Sequence, residues 1–100
     1  MIRGTTPTHI YNLPFDSSLI KELRIVYAQK NDELFTKTLP DCTASGSEIR
    51  CTLTQEETFL FDFNLLVQIQ LRILTTGGDV VSTKIFTKSV DECLKEEVLA

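Results

Sequence analysis

His9, the one histidine of the chain, is the residue type best suited to acid–base catalysis near neutral pH. A catalytic histidine needs a nucleophile or an orienting carboxylate within hydrogen-bonding reach, and the sequence indicates neither beside it. The small polar run Ser45-Gly46-Ser47 lacks the G-x-S-x-G spacing of a nucleophile elbow, so it is interpreted as a hairpin tip. We therefore interpret His9 as a solvent-facing or structural residue on an edge strand, and the sequence predicts no catalytic residue.

The glycine-rich run and the acidic residues also fail to match a catalytic or ligand-binding motif. The run Thr76-Gly77-Gly78-Asp79 lacks the lysine and the following helix of a phosphate-binding loop, which favours a tight hairpin turn. Glu56 and Glu57 are adjacent and therefore point in different directions, as expected at the start of a short helix. Asp62 and Asp79 have no carboxylate partner at metal-loop spacing. The sequence predicts neither a metal site nor a cofactor.

Three cysteines, Cys42, Cys51 and Cys93, cannot all pair within one chain. No apolar signal-like stretch follows the first residues, so we expect three reduced thiols in a reducing compartment. A Cys42–Cys51 disulfide is possible if the intervening turn brings the two Cα atoms within about 7 Å. The spacings match no zinc-ligand pattern, and His9 is far away in sequence.

Length and charge restrict the class of protein. One hundred residues predict a single domain over 1–100. The net charge is -4, and the ten lysines and arginines are scattered, which argues against nucleic-acid binding. No apolar run approaches the roughly 20 residues that a membrane-spanning helix needs. The sequence thus predicts no nucleic-acid partner and no membrane segment.

Apolar and polar residues alternate along residues 65–75, the period of a strand with one buried face. The two glycines at 77–78 predict a hairpin to a second strand over 80–87. Further strands are predicted over 5–13, 23–28, 33–39 and 48–53, with a turn-rich stretch at 42–47. Residues 16–20 and 54–58 predict short helical turns, the second with a capping box. The last segment, 89–100, fits either a short amphipathic helix or a frayed acidic tail.

These short strands predict an all-β fold, an immunoglobulin-like β-sandwich of about six to seven strands with one or two helical turns. The predicted core comprises Leu23, Ile25, Tyr27, Ile49, Leu53, Val67, Ile69, Leu71, Ile73 and Ile85. Phe59, Phe61 and Phe63 alternate and are predicted to share one strand face, either as core or as an exposed contact patch. Two edges, 5–13 and 80–88, lack a dense charge guard, which is compatible with strand addition or with covering loops.

Several segments together carry a family resemblance. They are Arg3-Gly4-Thr5-Thr6-Pro7-Thr8, Leu13-Pro14-Phe15-Asp16, Leu19-Ile20-Lys21-Glu22-Leu23, Leu53-Thr54-Gln55-Glu56-Glu57-Thr58 and Leu71-Arg72-Ile73-Leu74-Thr75-Thr76-Gly77-Gly78. The chain resembles, over nearly its whole length, small hypothetical proteins of Firmicutes phages and prophages. In strand order and hydrophobic alternation it is similar, more loosely, to the N-terminal β-sandwich domain of phage upper-baseplate proteins.

The resemblance implies a non-enzymatic structural or adaptor module, associated with a phage tail or baseplate. Its partners would be other phage structural proteins or further copies of itself. It would be found in the bacterial cytoplasm during expression and in the virion. An alternative from another class is a small acidic intracellular protein that binds and regulates a host protein. A hydrolase using His9 is the third hypothesis, and it lacks a second catalytic group.

Overall fold

The computed structural model describes residues 1–99, which form eight short strands and one α-helix. The helix α1 spans Gln55–Phe59, and 3-10 turns occupy Ser17–Leu19 and Leu39–Asp41. The strands are β1 (Thr8–Asn12), β2 (Ile20–Gln29), β3 (Asp32–Thr38), β4 (Cys42–Ser45), β5 (Glu48–Thr52), β6 (Val67–Thr75), β7 (Val80–Ser82) and β8 (Phe86–Lys88).

The larger sheet is built around the long antiparallel pair of β2 and β6. Its strand order is β3-β2-β6-β7, and β8 pairs with the same side of β6 as β7. Alternate residues of β6 are buried, and Ile25 lies directly opposite Leu71 in the register. The predicted period-two pattern of this strand is therefore confirmed, because one face of the sheet is covered and the other faces solvent.

Turn residues explain why the neighbouring strands form hairpins. Lys30 and Asn31 both have positive φ, at 51° and 63°, as a two-residue type I′ turn between β2 and β3 requires. Gly78, with φ of 89°, turns the chain from β6 to β7. Gly46, with φ of 56°, lies between β4 and β5, so the predicted hairpin tip at this position is confirmed.

The smaller sheet has the order β1-β5-β4 and packs over the larger one. Its central strand contributes fully buried Ile49 and Cys51 to the core, and Leu53 follows just beyond the strand. On the other side of the core, Tyr27 stacks on Phe35 with a centroid separation of 4.9 Å. The predicted all-β sandwich of short antiparallel strands with short helical turns is confirmed.

Two strand predictions need correction. The predicted turn-rich stretch at 42–47 contains β4, because Cys42 to Ser45 pair with β5 around the turn at Gly46. The predicted strand over 80–87 is interrupted between β7 and β8. There Leu71 N–H donates to the Thr83 side-chain hydroxyl, and Gln70 Nε2 donates to the Thr83 carbonyl. Thr83 N–H also donates to the Leu71 carbonyl, so Thr83 joins the chain to β6 at this break, and Ile85 is 54% exposed instead of lying in the core.

The alternating phenylalanines do not share a strand face. Phe59 ends α1, Phe61 is buried, and Phe63 is 41% exposed in the irregular segment before β6. Only Phe61 joins the core, and it packs against the Tyr27 and Phe35 rings. The prediction of a common face is wrong because the helical turn extends through Phe59 and the chain then bends.

The segment after β8 contains no helix up to Leu99. Leu94 is 99% exposed, which excludes a packed amphipathic helix at this position. Val90 is nevertheless buried, and Leu99 exchanges two hydrogen bonds with the Gln55 side chain. Residues 89–99 therefore lie along the domain in an irregular conformation, and Ala100 is outside the described residues.

Candidate functional site

The two sides of the sandwich differ in how the gap between the two sheets is closed. On one side the 3-10 turn Leu39–Asp41 carries the chain directly from β3 to β4. On the other side β1 and β8 border a cleft of about 300 Å³ between the sheets. The cleft is lined by both strands and by inward side chains of β6, including Ile69 and Leu71.

Two aromatic rings span this cleft. Tyr11 of β1 stacks on Phe86 of β8 with a centroid separation of 6.4 Å and an interplanar angle of 16°. Phe86 lies directly opposite buried Ile69 in the register, so its ring points toward the interior side of the larger sheet. It is still 43% exposed, because no further strand of the described chain covers this side.

The backbone of β1 presents an open outer edge. Leu53 N–H donates to the Pro7 carbonyl and Leu13 N–H donates to the Ser47 carbonyl. Along an antiparallel pair of strands, residues whose backbone groups bond to the partner strand alternate with residues whose backbone groups point away. These two bonds therefore show that the N–H and carbonyl groups of His9 and Tyr11 point toward β5. Those of Thr8, Ile10 and Asn12 point away from it, and β1 pairs with no other strand within residues 1–99.

Both edges of the larger sheet carry features that oppose strand addition, and the other edge of the smaller sheet, β4, has only four residues and no large apolar side chain. The edge strand β3 contains the charged residues Asp32, Glu33 and Lys37. The edge formed by β7 and β8 is broken into two three-residue strands and carries Lys88. In contrast, β1 is five residues long, uncharged apart from the titratable His9, and centred on Ile10, which is 51% exposed. Natural edges are protected by charge, shortness or bulges, and β1 is the least protected of these edges.

A buried polar network fixes β1 from behind. His9 Nδ1 lies 2.9 Å from the Tyr27 hydroxyl oxygen, which in turn lies 3.0 Å from the Tyr11 hydroxyl oxygen. His9 is only 7% exposed, so its solvent-facing interpretation is wrong. These hydrogen bonds link the edge strand of one sheet to the central strand of the other across the core.

Burial makes this network electrically neutral near pH 7. Burial, and to a smaller extent nearby Lys88 and the N-terminal amino group, together lower the pKa of His9 to about 4. Burial also raises the pKa of Tyr11 to about 12 and raises that of Tyr27 strongly. Within residues 1–99 no carboxylate hydrogen-bonds to these side chains, so the structure brings no nucleophile-activating pair to His9.

Cys42 and Cys51 lie directly opposite each other on β4 and β5. Cys51 is buried and Cys42 is half-buried, and both are free thiols. Interaction with the Cys51 thiol, together with burial, raises the pKa of Cys42. The Cys42 thiol and nearby Lys37 lower the pKa of Cys51. Cys93 lies outside both sheets, and its thiol donates to the Lys95 carbonyl.

The acidic residues considered for catalysis have structural contacts. Thr54 caps α1 by accepting from Glu57 N–H, and the Glu57 carboxylate accepts from Thr54 N–H. The same carboxylate lies 2.6 Å from Lys37 Nζ. Asp62 accepts from Asn64 N–H in the irregular segment before β6. The described part of the chain contains no group of three or more potential metal-ligating side chains.

One polar residue was missed by sequence reasoning. Gln29, at the end of β2, is 6% exposed, and its side chain makes three hydrogen bonds to backbone groups of Asp62 and Leu65. A glutamine at the polar end of a strand carries no signal that distinguishes it from a turn residue. Tyr11 was included in a predicted strand, but its stacking on Phe86 depends on how the sheets pack.

The chain matches no protein-family model, no curated protein and no solved structure. Among the helices of residues 1–99, none is long and apolar enough to cross a membrane.

Proposed function

We propose that this domain is a non-enzymatic structural or adaptor module that assembles with a second copy of itself through the outer edge of β1. The observation that carries the proposal is the unprotected edge of β1, with outward peptide groups at Thr8, Ile10 and Asn12. Strand addition supplies main-chain hydrogen bonds without a deep pocket, which suits a small domain.

The edge is complementary to itself. If two β1 strands pair antiparallel about a twofold axis at Ile10, each Ile10 lies opposite Ile10 of the second copy. Thr8 then lies opposite Asn12 of the second copy, and the outward peptide groups of all three positions find partners. No like charges face each other, because Thr8, Ile10 and Asn12 are uncharged. Pairing would join two three-stranded sheets into one continuous sheet.

The strand behind this edge is held in a single position. His9 and Tyr11 alternate with the outward residues and are fixed by hydrogen bonds to the Tyr27 hydroxyl. A fixed strand loses less conformational entropy on pairing than a mobile one does. The buried network therefore supports docking and needs no catalytic role.

The resemblance to small proteins of Firmicutes phages and prophages supports a setting in phage assembly. In that setting the joined domains would form part of a tail or baseplate, or would dock onto other phage structural proteins. A tagged chain expressed during phage production is expected to co-purify with particles. Its absence from purified particles would contradict the virion setting and leave the pairing of β1 to be tested separately.

The pairing is tested by light scattering after size exclusion, at low and high salt. The wild-type chain should be a dimer in both, because the edge is uncharged. Ile10→Pro removes an outward N–H and should give a monomer. Ala44→Pro is the matched control, since Ala44 lies on edge strand β4 at a position whose peptide also points away from β5. It should leave the dimer intact.

A second variant tests the same pairing without proline, which can disturb the fold of a strand. Ile10→Lys keeps the N–H but places two ammonium groups opposite each other at the twofold axis, so it should also give a monomer. Circular dichroism of both variants should match the wild type. A wild-type chain that is monomeric at all accessible concentrations, or a dimer that survives both Ile10 variants, would overturn the proposal.

A second candidate function follows from charge. The net charge is -4, and Asp91, Glu92 and Glu97 are exposed in the last segment. Such a surface could steer the domain onto a basic host protein that it regulates. Binding of this kind weakens with salt, whereas pairing of the uncharged β1 edge does not. A host partner captured only at low salt would favour this candidate.

A further inference from the structure

Cys42 and Cys51 occupy a position where two antiparallel strands bring side chains closest together. The backbone groups of Cys51 hydrogen-bond to those of His9, which lies opposite on β1. The N–H and carbonyl groups of Cys51 therefore point away from β4. Cys42 N–H correspondingly donates to the Leu39 carbonyl and not to β5. The two cysteines therefore form a non-hydrogen-bonded cross-strand pair, in which Cα atoms lie about 4.5 Å apart.

That separation lies within the range of about 4.4–6.8 Å found across disulfides. The side chains share one face, because residues directly opposite in a sheet project to the same side. Cys42 is on a short edge strand that is joined to β5 by the turn at Gly46, so small adjustments of β4 leave the rest of the sheet in place. The geometry thus meets the conditions for a bond between the two sulfur atoms.

We propose that Cys42 and Cys51 are a site of reversible thiol–disulfide exchange that closes the β4–β5 hairpin. The co-reactant is a small-molecule disulfide of the glutathione class. The pair differs from Cys93, which has no cysteine partner in either sheet of the described chain.

The order of events follows from exposure. Cys42 is half-buried and Cys51 is fully buried, so the incoming disulfide reaches the Cys42 sulfur first. The pair loses one proton, the remaining proton moves from Cys42 to Cys51, and the Cys42 thiolate attacks one sulfur of the small disulfide; the released small thiolate takes up the proton that the pair lost. The product is a mixed disulfide on Cys42.

The Cys51 sulfur then completes the exchange. The Cys51 thiol lies directly opposite Cys42; it loses its proton, and its thiolate attacks the Cys42 sulfur of the mixed disulfide. The second small thiol leaves and takes up the proton that Cys51 lost. In total, two protein thiols are oxidised by two electrons and one small disulfide is reduced to two thiols.

The site does not depend on the proposed function. The strand β4 is the opposite edge of the smaller sheet from β1, so the disulfide can form in a monomer or in a β1-paired dimer. The solution mass measured for Ile10→Pro therefore reports on pairing alone, and the oxidation state of the cysteines reports on this site alone.

The test is titration of the folded chain with mixtures of oxidised and reduced glutathione, followed by acid quenching and mass spectrometry. Wild type and Cys93→Ser should both lose two hydrogen masses, and a peptide map should contain the Cys42–Cys51 cross-link. Cys42→Ser should form no internal disulfide. Dithiothreitol should return the oxidised wild type fully to the dithiol.

A separate measurement addresses the order of the two steps. Cys51→Ser should accumulate the glutathione adduct on Cys42, because the second thiol is missing. If Cys51→Ser does not fold, the same adduct should appear transiently in the wild type during rapid quenching. The proposal is overturned if the wild type keeps a stable adduct without closing, or if the Cys42–Cys51 pair stays reduced while a mixed disulfide forms on Cys93.

Discussion

His9 shows how a single titratable residue can stabilise the fold by remaining neutral. Its ring is buried against Tyr27, at a centroid separation of 5.8 Å, and its Nδ1 atom is a hydrogen-bond partner of the Tyr27 hydroxyl. The groups that bear on its charge are Tyr11, Tyr27, Lys88 and the N-terminal amino group. Burial and both cations oppose protonation of His9 in the folded state.

This environment sets the direction of a pH effect. The folded pKa of His9 is about 4, below the ordinary value of 6.5, so the unfolded chain binds a proton between these values while the folded chain does not. Stability therefore falls as pH drops from about 6.5 toward 4. The free energy of unfolding should decrease by about 2 kcal/mol between pH 7 and pH 5 on account of His9 alone.

Urea unfolding of wild type and His9→Phe at the two pH values measures this difference. The variant keeps an aromatic ring against Tyr27 but cannot titrate. Its loss of stability between pH 7 and pH 5 should be smaller than that of the wild type by about 2 kcal/mol. Equal losses in both proteins would contradict the buried, neutral state of His9.

At the scale of elements, Gln29 connects the end of β2 to the irregular segment before β6. Its amide accepts from Asp62 N–H and donates to the Asp62 and Leu65 carbonyls. One side chain thus satisfies three backbone groups of a segment that has no strand partner. The segment keeps its shape because these bonds replace the missing ladder.

Replacing this side chain should cost more than replacing a similar one at the surface. Gln29→Leu leaves three part-buried backbone groups without partners, and the free energy of unfolding should fall by about 2–4 kcal/mol. The control is Gln68→Leu, whose side chain bonds to exposed Asn31 at the β2–β3 turn. Because water can replace those bonds, the control should lose about 1 kcal/mol or less. Similar losses in the two variants, measured by urea unfolding, would exclude this role of Gln29.

The same elements show what sequence patterns can and cannot predict. The strand β6 was predicted because its alternate residues from Val67 to Ile73 face the core, which produces an alternation of apolar and polar residues, and the central part of β2 was predicted from Leu23, Ile25 and Tyr27, which share its buried face. The strand β4 was missed because Cys42 to Ser45 are small or polar, and only pairing with β5 makes them a strand. The break at Thr83 was missed because it depends on side chains that bond to β6.

Some features of the candidate site could likewise be predicted from the sequence, and others could not. The edges at residues 5–13 and 80–88 were both predicted to lack a dense charge guard, since charge can be counted along one strand, but whether either edge is open or covered was not predicted. The network of His9, Tyr11 and Tyr27 was not predicted, because it joins β1 to the central strand of the other sheet. Contacts between sheets depend on how the sheets are stacked, and no local period of the sequence records that arrangement.

At the scale of the whole molecule, the two sheets leave opposite strand edges with different properties. The side near β4 is joined by the chain through Leu39–Asp41 and holds the Cys42–Cys51 pair. The side near β1 holds the cleft that Tyr11 and Phe86 bridge. A second copy at β1 would satisfy the outward peptide groups and cover Ile10, so pairing should stabilise the folded chain as well as join it.

The stability of the wild type should therefore depend on protein concentration. Above the dissociation constant of the dimer, each tenfold increase in concentration adds about 1.4 kcal/mol to the free energy of unfolding the dimer, so the melting temperature should rise by a few degrees. Ile10→Lys should melt at one temperature across the same range, because like charges at the twofold axis prevent pairing. Ala44→Pro should keep the wild-type dependence. A melting temperature of the wild type that is constant from micromolar to millimolar concentration would mean that folding gains nothing from pairing. That result would contradict the pairing of two β1 strands, as a monomeric wild type would.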